Sequence, residues 1–160
     1  MRQVIDEGRA SLRNLRASDS GVDDLEQALS RVPYDIGVQH GAAFRVAVEG
    51  QTRPFRAIVR DEIYRIAREA LVNVYQHSDA RNIEVELEYG SRELRVIVRD
   101  DGRGIGSDVL HAGREGHWGL AGMRERAESI GARLSVRSRE GEGTEIEVVI
   151  PNSIGTEARS

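Results

Sequence analysis

The chain has 160 residues, enough for one ordinary domain with a buried core, and 39% of its residues are hydrophobic and 31% charged. A net charge of −4, with arginines scattered among acids, argues against a nucleic-acid-binding stripe or a polybasic membrane patch. There is no cysteine for a disulfide framework or thiolate metal site, and no apolar run approaches the roughly 20 residues of a membrane span. We therefore expect a cytoplasmic domain that contacts neither nucleic acid nor membrane, whether or not its parent protein is membrane-anchored.

The first half of the chain has the apolar spacing of helices and one strand. Residues 2–17 have the pattern of a short amphipathic helix, and a second short helix is predicted from about residue 22 until Pro33 ends it. Alternating apolar residues over 44–48 then predict a strand. The clearest helical period runs over residues 57–77, where apolar residues recur at the 3.6-residue spacing.

The second half alternates between strands and one further helix. Residues 83–89 and 94–98 alternate apolar and polar side chains, which predicts two strands with one wet face. A helix is predicted over 119–130, and residues 134–136 and 146–150 form a closing hairpin. Helices separated by antiparallel hairpins predict an α+β fold, a two-layer α/β sandwich. In it, helices cover one face of a mixed, mostly antiparallel sheet.

The helix over 57–77 carries a row of polar residues. Glu69, Asn73 and His77 are four residues apart, so their side chains emerge on one helical face. A carboxylate and an amide offer the hard oxygen ligands that Mg²⁺ takes together with phosphate oxygens and water. The alternative is a solvated polar stripe opposite the core, which is the more frequent meaning of this spacing alone.

An acid next to glycines follows the strand over 94–98. The carboxylate of Asp100 only accepts hydrogen bonds, so it can select a ligand that presents an amino group, such as N6 of adenine. Gly102 and Gly104 lack Cβ atoms and would let a flat base approach the backbone. The alternative is an ordinary acidic turn after an edge strand.

Two further segments are rich in glycine. Gly113, Gly116, Gly119 and Gly122 precede and enter the helix predicted over 119–130, and the N-terminus of a helix is a ready site for phosphate. The loop over about 107–118 is long enough to close over a ligand. In isolation, Gly141-x-Gly143-Thr144 indicates only a hairpin turn.

In this order and spacing, the four segments resemble the motifs of the Bergerat-fold ATPases. Within that superfamily the chain resembles the catalytic, ATP-binding domain of bacterial sensor histidine kinases, in the form of the nitrate-sensor-like subgroup. Residues 69–77 resemble the N box, 100–104 the G1 box and 116–127 the G2 box. Residues 141–144 match the final box, and the resemblance covers about residues 34–151.

The resemblance implies ATP and Mg²⁺ as cofactors and gives each matching residue a role. Asn73 would coordinate Mg²⁺, with Glu69 beside it as a carboxylate that orients a water or a ligand of the ion. Asp100 would bond the adenine amino group, supported by Thr144, and His77 would lie near the base. Six further residues would shape the pocket and its lid: Gly102, Gly104, Gly116, Gly119, Leu120 and Gly122.

The chain departs from the family pattern at one site position. Gln76 stands where many relatives have a lysine or arginine that reaches the phosphates. Arg103, Arg114 and His117 are candidates to take over that contact.

The resemblance also implies how the chain is divided. Residues 1–32 would be the end of the helical hairpin for dimerisation and phosphoacceptance, 33–151 the ATP-binding catalytic domain and 152–160 a disordered tail. None of the four histidines has the phosphoacceptor context, so the γ-phosphoryl group would go to a histidine on a hairpin absent from this chain. A response regulator would act downstream. We expect a monomeric fragment of a homodimeric parent, with almost no autophosphorylation alone.

Two alternatives remain open on the sequence. One keeps the fold and changes the acceptor, giving a serine kinase of the anti-sigma-factor type. The other is a non-catalytic nucleotide-sensing or protein-interaction module, which Gln76 supports. The helical pattern before residue 32 and the Gly-Met-Arg-Glu-Arg-Ala sequence over 122–127 favour a sensor kinase over the first alternative.

Overall fold

A computed structural model of the chain describes residues 24–38, 41–105 and 119–155. In chain order its elements are α1 (Asp24–Asp35), β1 (Ala43–Gly50), α2 (Ala57–His77), β2 (Asn82–Tyr89), β3 (Glu93–Asp100), α3 (Leu120–Ser129), β4 (Arg133–Arg139), β5 (Gly143–Pro151) and α4 (Asn152–Gly155). The helix predicted over 2–17 lies outside these ranges. Among the described helices, none combines the length and apolar character needed to cross a bilayer.

The five strands form one mixed sheet in the order β1-β2-β3-β5-β4. β1 and β2 are parallel, and α2 provides the long crossover that parallel neighbours require. The other neighbours are antiparallel, with short turns between β2 and β3 and between β4 and β5. The predicted fold class, a mixed and mostly antiparallel sheet in a two-layer sandwich, is therefore confirmed.

The hydrophobic core lies between the helices and one face of this sheet. Alternate residues of the strands supply one side of the core. α2 supplies the other side with residues such as Ile63, Ile66 and Leu71, each 1% exposed or less. From α1, Leu29 and Val32 are fully buried in the same cluster. The apolar residues that recur with helical and strand periods in the sequence thus pack together in one core, and this packing holds α2 against the sheet.

The opposite face of the sheet carries ion pairs between neighbouring strands. Arg99 on β3 donates to Glu84 on β2 at 2.8 Å and to Glu145 on β5 at 2.9 Å. Arg95 makes the same kind of bridge to Glu88 and Glu147, with 3.0 Å between its Nε and the Glu147 carboxylate. This face is polar, as predicted, and the helix-covered face is the one that can enclose a ligand.

The prediction that Pro33 ends the first described helix is wrong. α1 continues through Pro33 to Asp35, because a proline in the last turn removes only one hydrogen bond and the next turn still forms. The Ile36 N–H donates to Val32 O at 3.0 Å. Gly37 then takes the left-handed conformation, with φ of +72°, which ends the helix.

The prediction that the chain is disordered from residue 152 is wrong for Asn152–Gly155. These residues form one helical turn after β5. The Asn152 N–H donates to Arg92 O at 2.9 Å, and Ile154 packs against the core. The Asn152 side-chain amide also donates to Gly90 O at 3.3 Å and to Ser91 O at 3.1 Å, so these bonds to the β2–β3 turn and one apolar side chain hold this helical turn in place.

Candidate functional site

The loop after β3 packs against the C-terminal end of α2. The Arg103 N–H donates to Ser78 O at 2.8 Å, and Arg103 Nε donates to His77 O at 2.6 Å. A Cβ on Gly102 would lie 2.2 Å from Ser78 O, so only glycine fits this contact. The loop that begins with Asp100 therefore meets the helix one turn beyond Asn73.

The polar row of α2 is not a uniform solvated stripe. Asn73 is only 4% exposed, whereas Glu69 is exposed and His77 is half-buried. Glu69 Oε1 would lie 3.0 Å from a Cβ on Gly119, the N-cap residue directly before α3, which has φ of +59°. The row is thus bordered by the loop after β3 at one end and by the N-terminus of α3 at the other.

Asp100 is a buried acid with one oxygen left open. Its side chain points to the helix-covered face, and the residue is 5% exposed. Oδ1 accepts a hydrogen bond from the Gly102 N–H at 2.7 Å, but Oδ2 is buried and has no hydrogen-bond partner in the described part of the chain. A buried acceptor without a donor is costly, and a ligand N–H would satisfy it.

The two neighbouring acids at the end of β3 lie in opposite environments. Burial raises the pKa of Asp100, the Asp101 charge adds to the rise, and the Gly102 and Thr144 N–H groups oppose it. Hydrogen bonds from Asn82, led by its side chain, lower the pKa of Asp101. The Asn82 amide donates to Asp101 at 2.7 Å, and the Arg81 and Asn82 N–H groups donate at 2.9 Å. Asp101 therefore anchors the start of β2, which leaves Asp100 for a ligand.

The turn between β4 and β5 closes the other side of this acid. Thr144 pairs directly with Asp100 across the sheet and is 4% exposed. Gly143 has φ of +87°, and a Cβ there would lie 2.1 Å from Asp100 O. A Cβ on Gly104 would similarly meet Arg139 O at 2.1 Å. These close approaches fix the Asp100 loop to the β4–β5 hairpin.

The remaining predicted site residues are less constrained. A Cβ on Gly122 would meet nothing within 4 Å among the described atoms, so packing does not require glycine there. Leu120 is half-buried against the core. Gly116 lies outside the described residues, and so do Arg114, His117 and the whole loop over 107–118. The binding roles of all these residues stay predictions.

Three residues of this region were not singled out in the sequence. Ser78 is buried at the end of α2, where its hydroxyl donates to Val74 O at 2.7 Å and accepts from the Ala80 N–H at 3.2 Å. Asp101 anchors β2, and Ser138 contacts Thr144. The doubled acid Asp100-Asp101 was the one visible signal, because adjacent strand residues face opposite sides.

Together, this fold and these contacts define a two-layer α+β domain, with a candidate ligand site bordered by the end of α2, the end of β3 and the start of α3. Residues 58–154 match the family described as "Histidine kinase-, DNA gyrase B-, and HSP90-like ATPase". The chain belongs to this family, as the resemblance of its motifs predicted, and membership implies ATP binding.

Its similar proteins include sensor kinases of several bacteria. The chain is 43% identical to the sensor histidine kinase LiaS of Bacillus subtilis over 93 residues, or 58% of this chain. It is 35% identical to the nitrate/nitrite sensor protein NarX of Escherichia coli over 61% of its length, and 32% identical to the sensor protein VraS of Staphylococcus epidermidis over 91%. The matches span 25%, 16% and 40% of those three proteins, respectively.

Solved structures of histidine kinases have the same fold. The histidine kinase domain of the Erythrobacter litoralis EL346 blue-light activated histidine kinase superposes with a TM-score of 0.63 at 29% identity. That match covers 81% of this chain and 59% of the other. The Acinetobacter baumannii histidine kinase AdeS, at 13% identity and a TM-score of 0.64 over 79% of this chain and 62% of its own, shows the shared fold alone.

Proposed function

We propose that this chain is the ATP-binding catalytic domain of a two-component sensor histidine kinase. It would transfer the γ-phosphoryl group of ATP to a histidine on a helical hairpin of the parent protein. The domain would lie in the cytoplasm, and a response regulator would act downstream. The open, buried Oδ2 of Asp100 beside the end of α2 carries this proposal. The family match over residues 58–154, which include this acid, supports it, and so do the similar sensor kinases.

Asp100 would recognise the purine ring. The 6-amino group of adenine donates hydrogen bonds and so satisfies Oδ2, whereas the 6-keto group of guanine presents a second acceptor to it. A buried polar group that meets the wrong partner gives strong discrimination, because neither group can return to water. We therefore expect ATP to bind and GTP to bind much more weakly.

Asn73 would hold Mg²⁺ through its side-chain oxygen, a hard ligand of the kind this ion prefers. Its burial on the α2 row fits a ligand-facing role better than a solvated one. The bound ion would neutralise charge on the phosphates. Glu69 lies at the start of α3, where the helix N-terminus favours negative charge. The chain itself would position the nucleotide, which is most of what phosphoryl transfer asks of a protein.

Titration calorimetry with ATP and GTP, each with and without Mg²⁺, tests the binding half of the proposal. We expect binding of ATP that strengthens with Mg²⁺, and loss of the Mg²⁺ effect in Asn73→Ala. Asp61→Ala is the matched control, since Asp61 is on the same helix with a side chain 64% exposed. An Asn73→Ala protein with unchanged ATP affinity and Mg²⁺ dependence would favour a non-catalytic nucleotide-sensing module.

Labelled ATP tests the transfer half. The chain alone should stay unlabelled, and addition of a separate histidine-bearing hairpin domain from a sensor kinase should give an acid-labile phosphate on that domain. An acid-stable phosphate on a serine-bearing antagonist protein, with none on the hairpin, would favour the anti-sigma-factor type instead. Stoichiometric labelling of the chain alone would contradict the proposed external acceptor.

A further inference from the structure

Three polar side chains form a row across the helix-covered face of the sheet. Asp100 on β3 pairs with Thr144 on β5, and Thr144 pairs with Ser138 on β4. Directly paired residues of antiparallel strands project to the same face, with Cβ atoms about 5 Å apart. Asp100 and Thr144 are buried, and Ser138 is half-buried at the edge of the row.

The hydrogen bonds of Ser138 restrict where the Thr144 proton can go. A serine hydroxyl has one proton to donate and two lone pairs that accept. The Ile105 N–H donates to Ser138 Oγ at 2.6 Å, the Gly143 carbonyl lies 3.0 Å away and the Thr144 hydroxyl 2.9 Å away. If Ser138 donates to the carbonyl and accepts from Thr144, all three bonds form. If Ser138 donates to Thr144 instead, only two form.

We infer that Ser138 is a positioning residue that draws the Thr144 hydroxyl proton away from the ligand. Thr144 then offers only lone pairs, and its directly paired neighbour Asp100 has a carboxylate Oδ2 that also accepts only. Two neighbouring acceptors favour a purine with an amino group at position 6 and disfavour one with a keto group. This inference rests on the proposed function and adds a third residue to the selection of adenine.

Ser138→Ala should weaken the discrimination between amino and keto purines. Without Ser138 Oγ, the Thr144 hydroxyl can rotate and donate its proton to a keto oxygen. ITP is the suitable probe, because it differs from ATP only at position 6 and in the proton on N1. We expect the ratio Kd(ITP)/Kd(ATP) to fall about tenfold, the effect of roughly one hydrogen bond.

Calorimetric titration of both nucleotides with Mg²⁺ would compare the wild type with five variants. Ser138→Ala should lower the ratio, and Ser138→Thr should keep it because the hydroxyl remains. Ser135→Ala is the matched control, since Ser135 is exposed and pairs with Glu147 on the opposite face of the sheet. In a Thr144→Val background, the further change Ser138→Ala should leave the ratio unchanged.

A merely structural role for Ser138 gives a different result. Equal weakening of ATP and ITP, or the same change in ratio with and without the Thr144 hydroxyl, would overturn the inference. Melting curves show whether Ser138→Ala folds; if it does not, Ser138→Cys replaces it, because a thiol is a poor acceptor and should also lower the ratio. A wild-type chain that binds neither nucleotide would instead refute the proposed function.

Discussion

Asp100→Asn should stabilise the free protein at neutral pH while it weakens ATP binding. Because burial raises the pKa of Asp100, the folded chain binds this proton more tightly than the unfolded chain, whose value is near the usual 3.8. The free energy of unfolding of the wild type therefore falls as pH rises from about 3.8 through the folded pKa. The amide has no charge to bury, so the variant lacks this fall and is the more stable protein above that window.

The loss of affinity can be estimated from the hydrogen bond that is removed. A hydrogen bond to a charged group contributes about 1.5–3 kcal/mol. At about 1.4 kcal/mol per factor of ten, Asp100→Asn should weaken ATP binding about 10- to 100-fold. The amide nitrogen of the variant and the adenine amino group are both donors, so they cannot form a hydrogen bond. The same nitrogen can donate to a 6-keto oxygen. ITP should therefore lose less affinity than ATP.

Thermal unfolding between pH 4 and pH 8, together with calorimetric titration, measures both effects. Asp101→Asn is the matched control, and its expected effect on the free energy of unfolding has the opposite sign. Hydrogen bonds from Asn82 lower the pKa of Asp101, so its stabilising effect is present above the usual pKa of 3.8 and is lost as pH falls through the lowered value. Asp101→Asn should thus destabilise at pH 7. Parallel pH curves for the wild type and Asp100→Asn, with unchanged ATP affinity, would refute the reasoning.

Three further substitutions test the packing of the site and the sheet. Gly102→Ala places a Cβ 2.2 Å from Ser78 O and should cost about 1–3 kcal/mol by thermal unfolding, with weaker ATP binding in titration. Gly122→Ala should raise the free energy of unfolding by about 0.5–1 kcal/mol through helix propensity, and so raise the melting temperature. A simultaneous fall in ATP affinity would place the ligand against this residue. Arg99→Met removes an arginine that is 42% exposed and bonds carboxylates on both neighbouring strands. It should cost about 1 kcal/mol in urea unfolding, and less at high salt.

The sequence predicts the elements of this fold because their hydrophobic periods are long and unmixed. The 3.6-residue period of α2 and the strict alternation of β2 each continue over the whole element, and both occur in the structure close to their predicted bounds. The end of α1 was not predictable by the same logic. Pro33 is a strong breaker in a helix interior, but in a last turn that a left-handed Gly37 completes, it is tolerated.

Of the contacts around Asp100, the motif resemblance predicted that of Thr144, whereas periodicity and spacing alone predicted neither Thr144 nor Ser138. Thr144 and Ser138 lie 44 and 38 residues further along the chain than Asp100, and they reach it only through the register of β3, β5 and β4. A shift of one residue in either pairing would turn these side chains to the ion-paired face. The sequence shows residue types, but it does not show register, so Ser138 had no signal of its own.

The two acids at the end of β3 show how the fold separates two like residues. Asp101 accepts three hydrogen bonds at the start of β2, and these hold the ends of β2 and β3 together. Asp100, one residue earlier, faces the core side, where one oxygen is satisfied and the other is not. The anchoring of Asp101 thus helps to keep Asp100 in a position that is unfavourable for the free protein. A ligand that donates to Asp100 Oδ2 relieves this cost. Ligand binding should therefore also raise the free energy of unfolding of the domain.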